Sequence, residues 1–353
     1  MPDMRDAAVD YADLVSRIRQ WGKDLGFQQI GITGIKLSTA ERYLIDWLDH
    51  DYHGEMRYMS NHGIKRCRPE LLVAGTHRVI TARMDYLSGQ SRDAGEVLND
   101  HTLGYVSRYA LGRDYHKLIR SRLQKLAGKI ARATGPFSYR VFTDSAPVME
   151  KPLAEKAGLG WIGKHTNLIN KKAGSWFFLG EIYTDLPLPT DGLAQNHCGS
   201  CQACIDVCPT NAIISPYQLD ARLCISYLTI ELRGSIPEHL RPFIGNRIFG
   251  CDDCQLVCPW NKYAQPTQEQ DFYPKHKLDT ATLIELFSWT EETFLQKTKG
   301  SAIRRIGYEC WLRNIAVALG NAAKERRIIE ALEAKRNHPS PLIREHVLWA
   351  LNR

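Results

Sequence analysis

The stretch at residues 197–209, "HCGSCQACIDVCP", carries four cysteines with the spacing C-x2-C-x2-C-x3-C-P. Residues 251–259, "CDDCQLVCP", repeat the second half of this pattern, and Cys224 lies between the two stretches. Eight of the ten cysteines of the chain therefore fall between residues 198 and 258. Runs of this kind bind four-iron clusters in two-cluster ferredoxins. The spacing predicts two 4Fe-4S clusters within one ferredoxin-like region.

The eight cysteines divide into two ligand sets. In two-cluster ferredoxins the cysteine before the proline ligates the cluster of the other run. The first predicted set is Cys198, Cys201, Cys204 and Cys258, and the second is Cys208, Cys251, Cys254 and, by elimination, Cys224. Structural zinc is the alternative, because C-x2-C pairs are typical of zinc ribbons. Zinc would not explain the three-cysteine loop or the two prolines.

The remaining composition describes an ordinary globular protein of two or three domains. The chain has 353 residues, of which 44% are hydrophobic and 24% charged, with a formal net charge of +7. Its N-terminus resembles no secretory signal, and no apolar run approaches the roughly 18 residues that span a membrane. We therefore expect a cytoplasmic protein without a membrane partner. In that reducing compartment metal binding is favoured over disulfides, and the isolated Cys67 and Cys310 are predicted to be buried.

The periodicity of apolar residues predicts an α+β fold. Helices are expected at residues 10–26, 39–50 and 114–133, the last with Asp114 as its N-cap, a buried stripe that includes Leu118, and an end at Gly135. Strands are expected in "GFQQIGIT", "HRVITARMDYL", "YRVFTD" and before residue 188, with "APVMEKPLAEKAG" helical between the last two. These elements predict a mixed sheet covered by helices. From about residue 280 the chain reads as helical, with two similar segments about 30 residues apart, as in short helical repeats.

Four stretches resemble the epoxyqueuosine reductase family in their order and spacing. They are "YVSRYALGRDYHKLIRSRLQKL", "DSAPVMEKPLAEKAGLGWIGKHTNLIN", "CISYLTIELRGSIPEHLRP" and "GNRIFGCDDCQLVCPWNKY". The resemblance implies three parts: a flavin-reductase-like cobalamin-binding catalytic domain at residues 1–188, a ferredoxin-like two-cluster domain at 189–275, and HEAT-like helical repeats that contact tRNA at 276–353. It also implies the reaction, in which epoxyqueuosine at the tRNA wobble position loses its epoxide oxygen, with consumption of two electrons and protons.

The resemblance assigns roles to individual residues. It implies that Asp144 protonates the alkoxide that forms as the epoxide opens, whereas the residues alone equally suggest an N-cap for a helix that begins at Ser145. Arg66 could alternatively be a solvated cation. Carried over by position, the residues that contact cobalamin are Arg66, Ser107, Asp144, Leu168, Leu179, Ser226, Cys251, Asp252, Asp253 and Cys254.

No histidine of the chain fits a cobalt-ligating signature. The pattern D-x-H-x-x-G begins at Asp51 and at Asp114 but lacks its glycine, because Met56 and Ile119 stand in the required positions. The family implies cobalamin bound without a protein ligand beneath the cobalt. His53 and His116 are therefore predicted to be ordinary surface or packing histidines.

Basic residues concentrate in two regions. The helix at 114–133 carries Lys117, Arg120, Arg122, Lys125, Lys129 and Arg132, and residues 301–353 hold ten Lys or Arg against five Glu. Such charge neutralises phosphates and predicts contact with the tRNA anticodon stem-loop, although a solvated helix face is the ordinary alternative. We further expect an external low-potential electron donor and a monomeric chain.

Three functional hypotheses follow. The first is a cobalamin-dependent epoxyqueuosine reductase. The second is a reductive dehalogenase-like enzyme, which would also combine cobalamin with two clusters but is typically exported with a twin-arginine signal. The third is a ferredoxin-type electron-transfer protein without an active site, which would leave the first 190 residues without a purpose.

Overall fold

A four-stranded sheet forms the centre of the first half of the chain. The computed structural model describes residues 9–353. The strand order is β1-β2-β7-β4, with β1 at Gln29–Gly34, β2 at Arg78–Asp85, β4 at Tyr139–Phe142 and β7 at Phe177–Thr184. All three neighbouring pairs are antiparallel. The expectation of a mixed sheet was wrong here, because β7 inserts between β2 and β4, which run in the same direction, and is antiparallel to both.

Short strands form three further two-stranded pairings among residues 9–353. They are β3 with β10, β5 with β6, and β8 with β9. Their bounds are Tyr105–Val106 for β3, Trp161–Ile162 for β5, Leu168–Ile169 for β6, Ile213–Ser215 for β8, Gln218–Leu219 for β9 and Arg247–Phe249 for β10.

Helices cover both faces of the sheet and make up the C-terminal part. The longer ones are α1 (Tyr11–Asp24), α2 (Ser38–Asp49), α5 (Tyr115–Thr134), α6 (Glu150–Lys156), α12 (Glu291–Lys297), α13 (Gly307–Asn321), α14 (Arg326–Glu333) and α15 (Pro341–Asn352). The shorter ones are α3 (Pro69–Leu72), α4 (Ala94–Asn99), α7 (Ala203–Asp206), α8 (Ile225–Ile230), α9 (Arg241–Ile244), α10 (Asp253–Leu256) and α11 (Leu283–Phe287).

One face of the sheet packs against α1 and α5. Leu14 and Ile18 of α1 meet Leu123 of α5 and Ile182 of β7 in a single buried cluster. The predicted N-cap of α5 is confirmed, since the Asp114 side chain accepts the backbone N–H of His116. The predicted stripe was shifted in one place, because Ile119 is fully buried while Leu118 is only partly so.

The other face of the sheet packs against α6. A Cβ atom at Gly31 of β1 would lie 2.2 Å from the carbonyl oxygen of Ala157, just beyond the end of α6. This close approach requires glycine and holds α6 directly on the sheet. The predicted helical segment around α6 begins later than expected, at Glu150.

The cysteine region is joined to the first half of the chain by a parallel strand pair. Strand β10 pairs with β3, with Arg247 opposite Tyr105 and Phe249 opposite Val106. This pairing was not predictable from the sequence, since each strand has only two or three residues and its partner lies more than 140 residues away.

The C-terminal helices pack on the same core. Val106 and Phe249 belong to one buried cluster with Trp311 and Ile315 of α13 and Val347 of α15. The helical reading of this part of the chain is confirmed by α11 to α15. Within residues 9–353, none of the helices combines the length and apolar character that crossing a membrane requires.

Candidate active site

A cavity of about 1410 Å³ opens between α6, β7, the cysteine region and the start of the helical tail. Its walls include the segment that precedes α6, the first half of β7 and residues 300–305. The structure brings all ten residues that the resemblance assigned to cobalamin contacts to this one cavity: Arg66, Ser107, Asp144, Leu168, Leu179, Ser226, Cys251, Asp252, Asp253 and Cys254.

Arg66 lies at the cavity wall and is not a solvated cation. It ends a 3-10 turn at Gly63–Arg66, and only 6% of its surface is exposed. One guanidinium nitrogen donates to the carbonyl of Tyr58 at 2.7 Å, whereas its Nε has no hydrogen-bond partner among residues 9–353. A buried donor without a partner is costly, so this nitrogen is available to a polar group bound in the cavity.

Asp252 fixes the loop between Cys251 and Cys254 against β3. Its carboxylate accepts hydrogen bonds from the Ser107 hydroxyl at 2.6 Å, the Tyr105 hydroxyl at 2.7 Å and the backbone N–H of Arg108 at 2.8 Å. The preceding Gly250 has φ of 72°, and a Cβ there would lie 2.6 Å from the Cβ of Ser107. The carboxyl of Asp252 is therefore saturated by the protein, and its part in the cavity wall is to hold this loop.

Asp144 reaches the cavity from a strained turn after β4. Its φ is 51°, in the left-handed region, and half of its side-chain surface is accessible. The Tyr115 hydroxyl donates to Oδ2 at 2.5 Å, and Nε2 of His116 lies 3.2 Å from the same oxygen. Helix α6 begins six residues later, so the N-cap alternative for Asp144 was wrong.

His116 is a site residue that the sequence reasoning missed. Its Nδ1 lies 2.6 Å from Oδ1 of Asp114, and its Nε2 contacts Asp144. Burial alone would lower the pKa of His116, but the hydrogen bonds to Asp114 and Asp144 raise it to about 9. Burial also raises the pKa of Asp144, and the hydrogen bonds from His116 and Tyr115 outweigh it, so the net pKa is below the usual range. At neutral pH the pair is an imidazolium and a carboxylate.

Both ring nitrogens of His116 are occupied by carboxylates, so the prediction that it is not a cobalt ligand agrees with its contacts. The prediction of an ordinary packing histidine, however, was wrong. The motif Asp114-Tyr115-His116 was the available signal, because all three side chains of this run converge on or beside Asp144. His53 does not line the cavity and packs near Trp47, with 5.9 Å between ring centroids.

Two further carboxyl groups lie behind Asp144. Oε1 of Glu150 accepts the backbone N–H of Asp144 at 2.5 Å, and Glu181 of β7 is fully buried. Burial and the charge of Asp144 raise the pKa of Glu150 to about 7, and burial beside Glu150 raises the pKa of Glu181 well above its usual range. The sequence held one sign of this, a charged residue inside the apolar strand "FFLGEIYT".

The eight clustered cysteines lie around two separate spaces. One cavity, of about 270 Å³, is lined by Cys198, Cys201, Cys204 and Cys258. It is also lined by His197 and Trp260, whose rings both pack against Trp161. Cys208, Cys224, Cys251 and Cys254 line the large cavity. The two groups have the membership that the spacing predicted, and the second group lies on the wall that Asp144 also faces. Cys67 and Cys310 are buried, as predicted.

The basic face of α5 runs outward from the large cavity. Lys117 and Arg120 line the cavity and, with Lys125, a shallow groove beside it. Arg122 points elsewhere and pairs with Glu269. In the C-terminal region Arg304 and Arg305 line the cavity, whereas Arg313 is fully buried and bonded to backbone carbonyls, so it cannot contact a phosphate.

Curated relatives are similar over nearly the whole chain. Epoxyqueuosine reductase of Pseudomonas aeruginosa is 60% identical over 345 residues, which cover 98% of this chain and 95% of that protein. Epoxyqueuosine reductase of Escherichia coli is 57% identical over 343 residues, which cover 97% of this chain and 90% of that protein. The chain belongs to the epoxyqueuosine reductase family. It is therefore an oxidoreductase.

Family models and solved structures agree with this assignment to the epoxyqueuosine reductases. The model described as "Epoxyqueuosine reductase QueG, DUF1730" matches residues 66–145, and the model described as "4Fe-4S double cluster binding domain" matches residues 197–261, which include all eight clustered cysteines. A crystal structure of epoxyqueuosine reductase with an epoxyqueuosine-modified tRNA-Tyr stem loop superposes with a TM-score of 0.89 at 27% identity, covering 97% of this chain and 90% of that chain. The family membership favours the first functional hypothesis over the dehalogenase-like and carrier alternatives.

Proposed function

We propose that the chain deoxygenates epoxyqueuosine at the wobble position of a tRNA anticodon, with cobalamin in the large cavity, electrons supplied through two 4Fe-4S clusters, and Asp144 as the proton donor. The observation that carries this proposal is the convergence on one cavity. Ten predicted cofactor contacts, the second cysteine set and the acid Asp144 all line the same space. These residues lie up to 188 positions apart in the sequence, from Arg66 to Cys254, and the fold brings them together around one space.

The cavity fits cobalamin in size and in the character of its walls. Its volume of about 1410 Å³ exceeds the range of ordinary small-molecule pockets. Leu168, Phe177 and Leu179 give it an apolar wall, while Arg66 Nε and His165 Nε2 are buried polar atoms without partners among the described residues. Cobalamin presents an apolar ring face with an amide fringe, and bound cobalamin supplies a cobalt centre that acts as a strong nucleophile or electron donor when reduced. Arg66 and His165 would bind the fringe.

The cysteine sets point to a directional supply of electrons. We propose that Cys198, Cys201, Cys204 and Cys258 ligate one cluster, and that Cys208, Cys224, Cys251 and Cys254 ligate the other. Cys201 is exposed, whereas Cys254 lies at the large cavity. The first set is therefore the side that meets an external low-potential electron donor, and the second is the side that meets the cobalamin.

The proton chemistry is carried by Asp144 together with His116. At neutral pH the proton lies on His116, and Asp144 is its hydrogen-bonded acceptor. As negative charge develops on the epoxide oxygen, a proton passed from His116 through Asp144 neutralises it. Tyr115 and His116 both contact Oδ2 and hold the Asp144 carboxylate at the cavity wall.

We propose that the basic residues at the large cavity form the surface that binds tRNA. Lys117 and Arg120 of α5 and Arg304 line the large cavity, and Lys125 of α5 lines the adjoining groove. An anticodon loop that inserts its wobble nucleoside between them would place its phosphates on these cations. The same proposal describes the chain as a cytoplasmic monomer with a flavin-reductase-like part at 1–188, a ferredoxin-like part at 189–275 and a HEAT-like tail at 276–353.

Reconstitution tests the whole proposal in one experiment. The purified chain is reconstituted with iron and sulfide, loaded with cobalamin and a low-potential reductant, and supplied with tRNA that bears epoxyqueuosine. We expect about eight irons per chain, absorbance near 400 nm and conversion to queuosine by nucleoside mass spectrometry. Omission of cobalamin should abolish turnover while iron content is unchanged. Stoichiometric zinc without iron, or full turnover without cobalamin, would contradict the proposal.

A further inference from the structure

The reaction needs a second proton that Asp144 and His116 do not supply. Conversion of an epoxide to an alkene removes the oxygen as water, so the balance is one epoxide, two electrons and two protons to one alkene and one water. Both C–O bonds break and two O–H bonds form. The His116–Asp144 pair holds one transferable proton in its resting state, since Asp144 is ionised there. A second acid beside the cavity is required unless water provides it.

Glu150 is placed for this task. It is the first residue of α6, and its side chain lines the same cavity as Asp144. The carboxylate that remains after proton loss already has a donor, the backbone N–H of Asp144, 2.5 Å from Oε1. An acid whose ionised form is stabilised in advance needs no reorganisation when it releases its proton.

Glu181 lies on the same face of the sheet as α6. It sits in the middle of β7, opposite Thr81 and Phe142, and none of its surface is exposed. Neither of its carboxyl oxygens has a hydrogen-bond partner among residues 9–353. Burial and the charge of Glu150 raise the pKa of Glu181 well above its usual range. Glu181 is therefore a buried, neutral group behind Glu150.

We propose that Glu150 is the source of the second proton of the reaction. The inference rests on the proposed function. The electrons come from the external donor of the proposed reduction. The first proton goes through Asp144 to the opening epoxide oxygen, and the second goes from Glu150 to that same oxygen as it leaves as water. Solvent then reprotonates Glu150.

The ionisation of Glu150 is suited to this role. Burial and the negative charge of Asp144 raise its pKa to about 7, and an acid is most effective when its pKa lies near the working pH. The other titratable or charged groups that face the pair are Asp144, Lys151, Arg66, Tyr115 and Tyr183. The proton donor must be protonated, so activity falls as pH rises through about 7.

Single-turnover conversion of epoxyqueuosine tRNA, measured from pH 5.5 to 9 with fully reduced holoenzyme, tests this inference. Glu150→Gln keeps an acceptor for the Asp144 N–H but carries no acid. We expect the rate at pH 6 to fall at least tenfold, the dependence near pH 7 to disappear, and tRNA affinity, iron and cobalamin content to stay unchanged. Glu155→Gln is the matched control on the same helix, because its side-chain oxygen still accepts the Ile162 N–H.

Glu181 gives a second, separate readout. Glu181 is buried and neutral, so Glu181→Gln should keep the pH dependence near pH 7. Loss of that dependence in Glu181→Gln would assign it to Glu181 and overturn the inference. A Glu150→Gln enzyme with the wild-type rate and pH dependence would also overturn it. Inactivity of the wild-type holoenzyme, or full activity of Asp144→Asn, would instead overturn the proposed function.

Discussion

Asp114 and Asp144 both contact His116, and replacing each of them in turn distinguishes their roles. Asp144 is the proposed group that delivers the proton, whereas Asp114 only supports the imidazolium. Asp114 contacts Nδ1 and Asp144 contacts Nε2. Their hydrogen bonds raise the pKa of His116 from 6.5 to about 9 against the opposing effect of burial. If the two carboxylates share this shift evenly, each Asn substitution lowers the pKa of His116 by roughly one unit, to about 8.

The two variants should then differ sharply in rate. Asp114→Asn keeps Asp144 and also keeps an N-cap for α5, because asparagine caps helices as well as aspartate does. With a pKa of about 8, about nine-tenths of His116 stays protonated at pH 7, so the rate there should be within about twofold of wild type, falling to about a third at pH 8.5. Asp144→Asn removes the delivering group, and its rate should fall roughly 10²- to 10⁴-fold at every pH.

The assay is single-turnover conversion by excess reduced holoenzyme, so that the chemical step limits the rate. Rates are expressed as the ratio of variant to wild type at each pH, which cancels the ionisation of Glu150 in Asp114→Asn, where the charge of Asp144 is kept. Iron and cobalamin content are measured in the same samples. The reasoning is refuted if Asp144→Asn retains more than about a tenth of the wild-type rate. It is also refuted if Asp114→Asn is as slow as Asp144→Asn at pH 7.

Three other perturbations have defined outcomes. Cys258→Ser should lower iron to about four per chain and leave the set at the large cavity filled, as measured by iron analysis and electron paramagnetic resonance; retention of about eight would contradict the assigned ligand sets. Combined Lys117→Gln, Arg120→Gln and Lys125→Gln should reduce the slope of log binding constant against log salt for the stem-loop by about two to three, whereas Arg17→Gln, Lys23→Gln and Arg42→Gln should not change it. Gly31→Ala should lower the free energy of unfolding by about 1–3 kcal/mol in urea because its Cβ meets the Ala157 carbonyl, while Gly34→Ala, on the same strand with open space around it, should be nearly neutral.

Features encoded by local spacing were predictable from the sequence. The cysteine runs, the N-cap of α5 and the apolar periodicity of α1 each depend on residues within about twenty positions of one another. The grouping of Cys258 with Cys198 was also available, because the crossed ligation follows from the two runs together. The proton-donor role of Asp144 was suggested only by the family resemblance, because a lone aspartate before an apolar segment is more often a helix N-cap.

Features that depend on distant backbone were not predictable. The β3–β10 pair joins Tyr105 to Arg247, and neither strand is long enough to give a periodic signal. The role of His116 depends on the turn at Asp144, whose left-handed φ brings a carboxylate from another element against the imidazole. The closeness of Asp114 and His116 in sequence does not indicate that His116 also contacts the carboxylate of Asp144.

Strand β7 contributes both to the hydrophobic core and to the carboxyl pair formed by Glu150 and Glu181. Phe178 and Ile182 point to the face that packs against α1 and α5, and a Cβ at Gly180 would meet Ile119 of α5 at 2.7 Å. Leu179, Glu181 and Tyr183 alternate to the face that carries α6. Because side chains alternate along a strand, a shift of register by one residue would place Glu181 in the apolar core. The large apolar residues that fix the register of β7 thus also fix the position of Glu181 on the α6 face, behind Glu150, so the charge environment of Glu150 depends on the packing of the core.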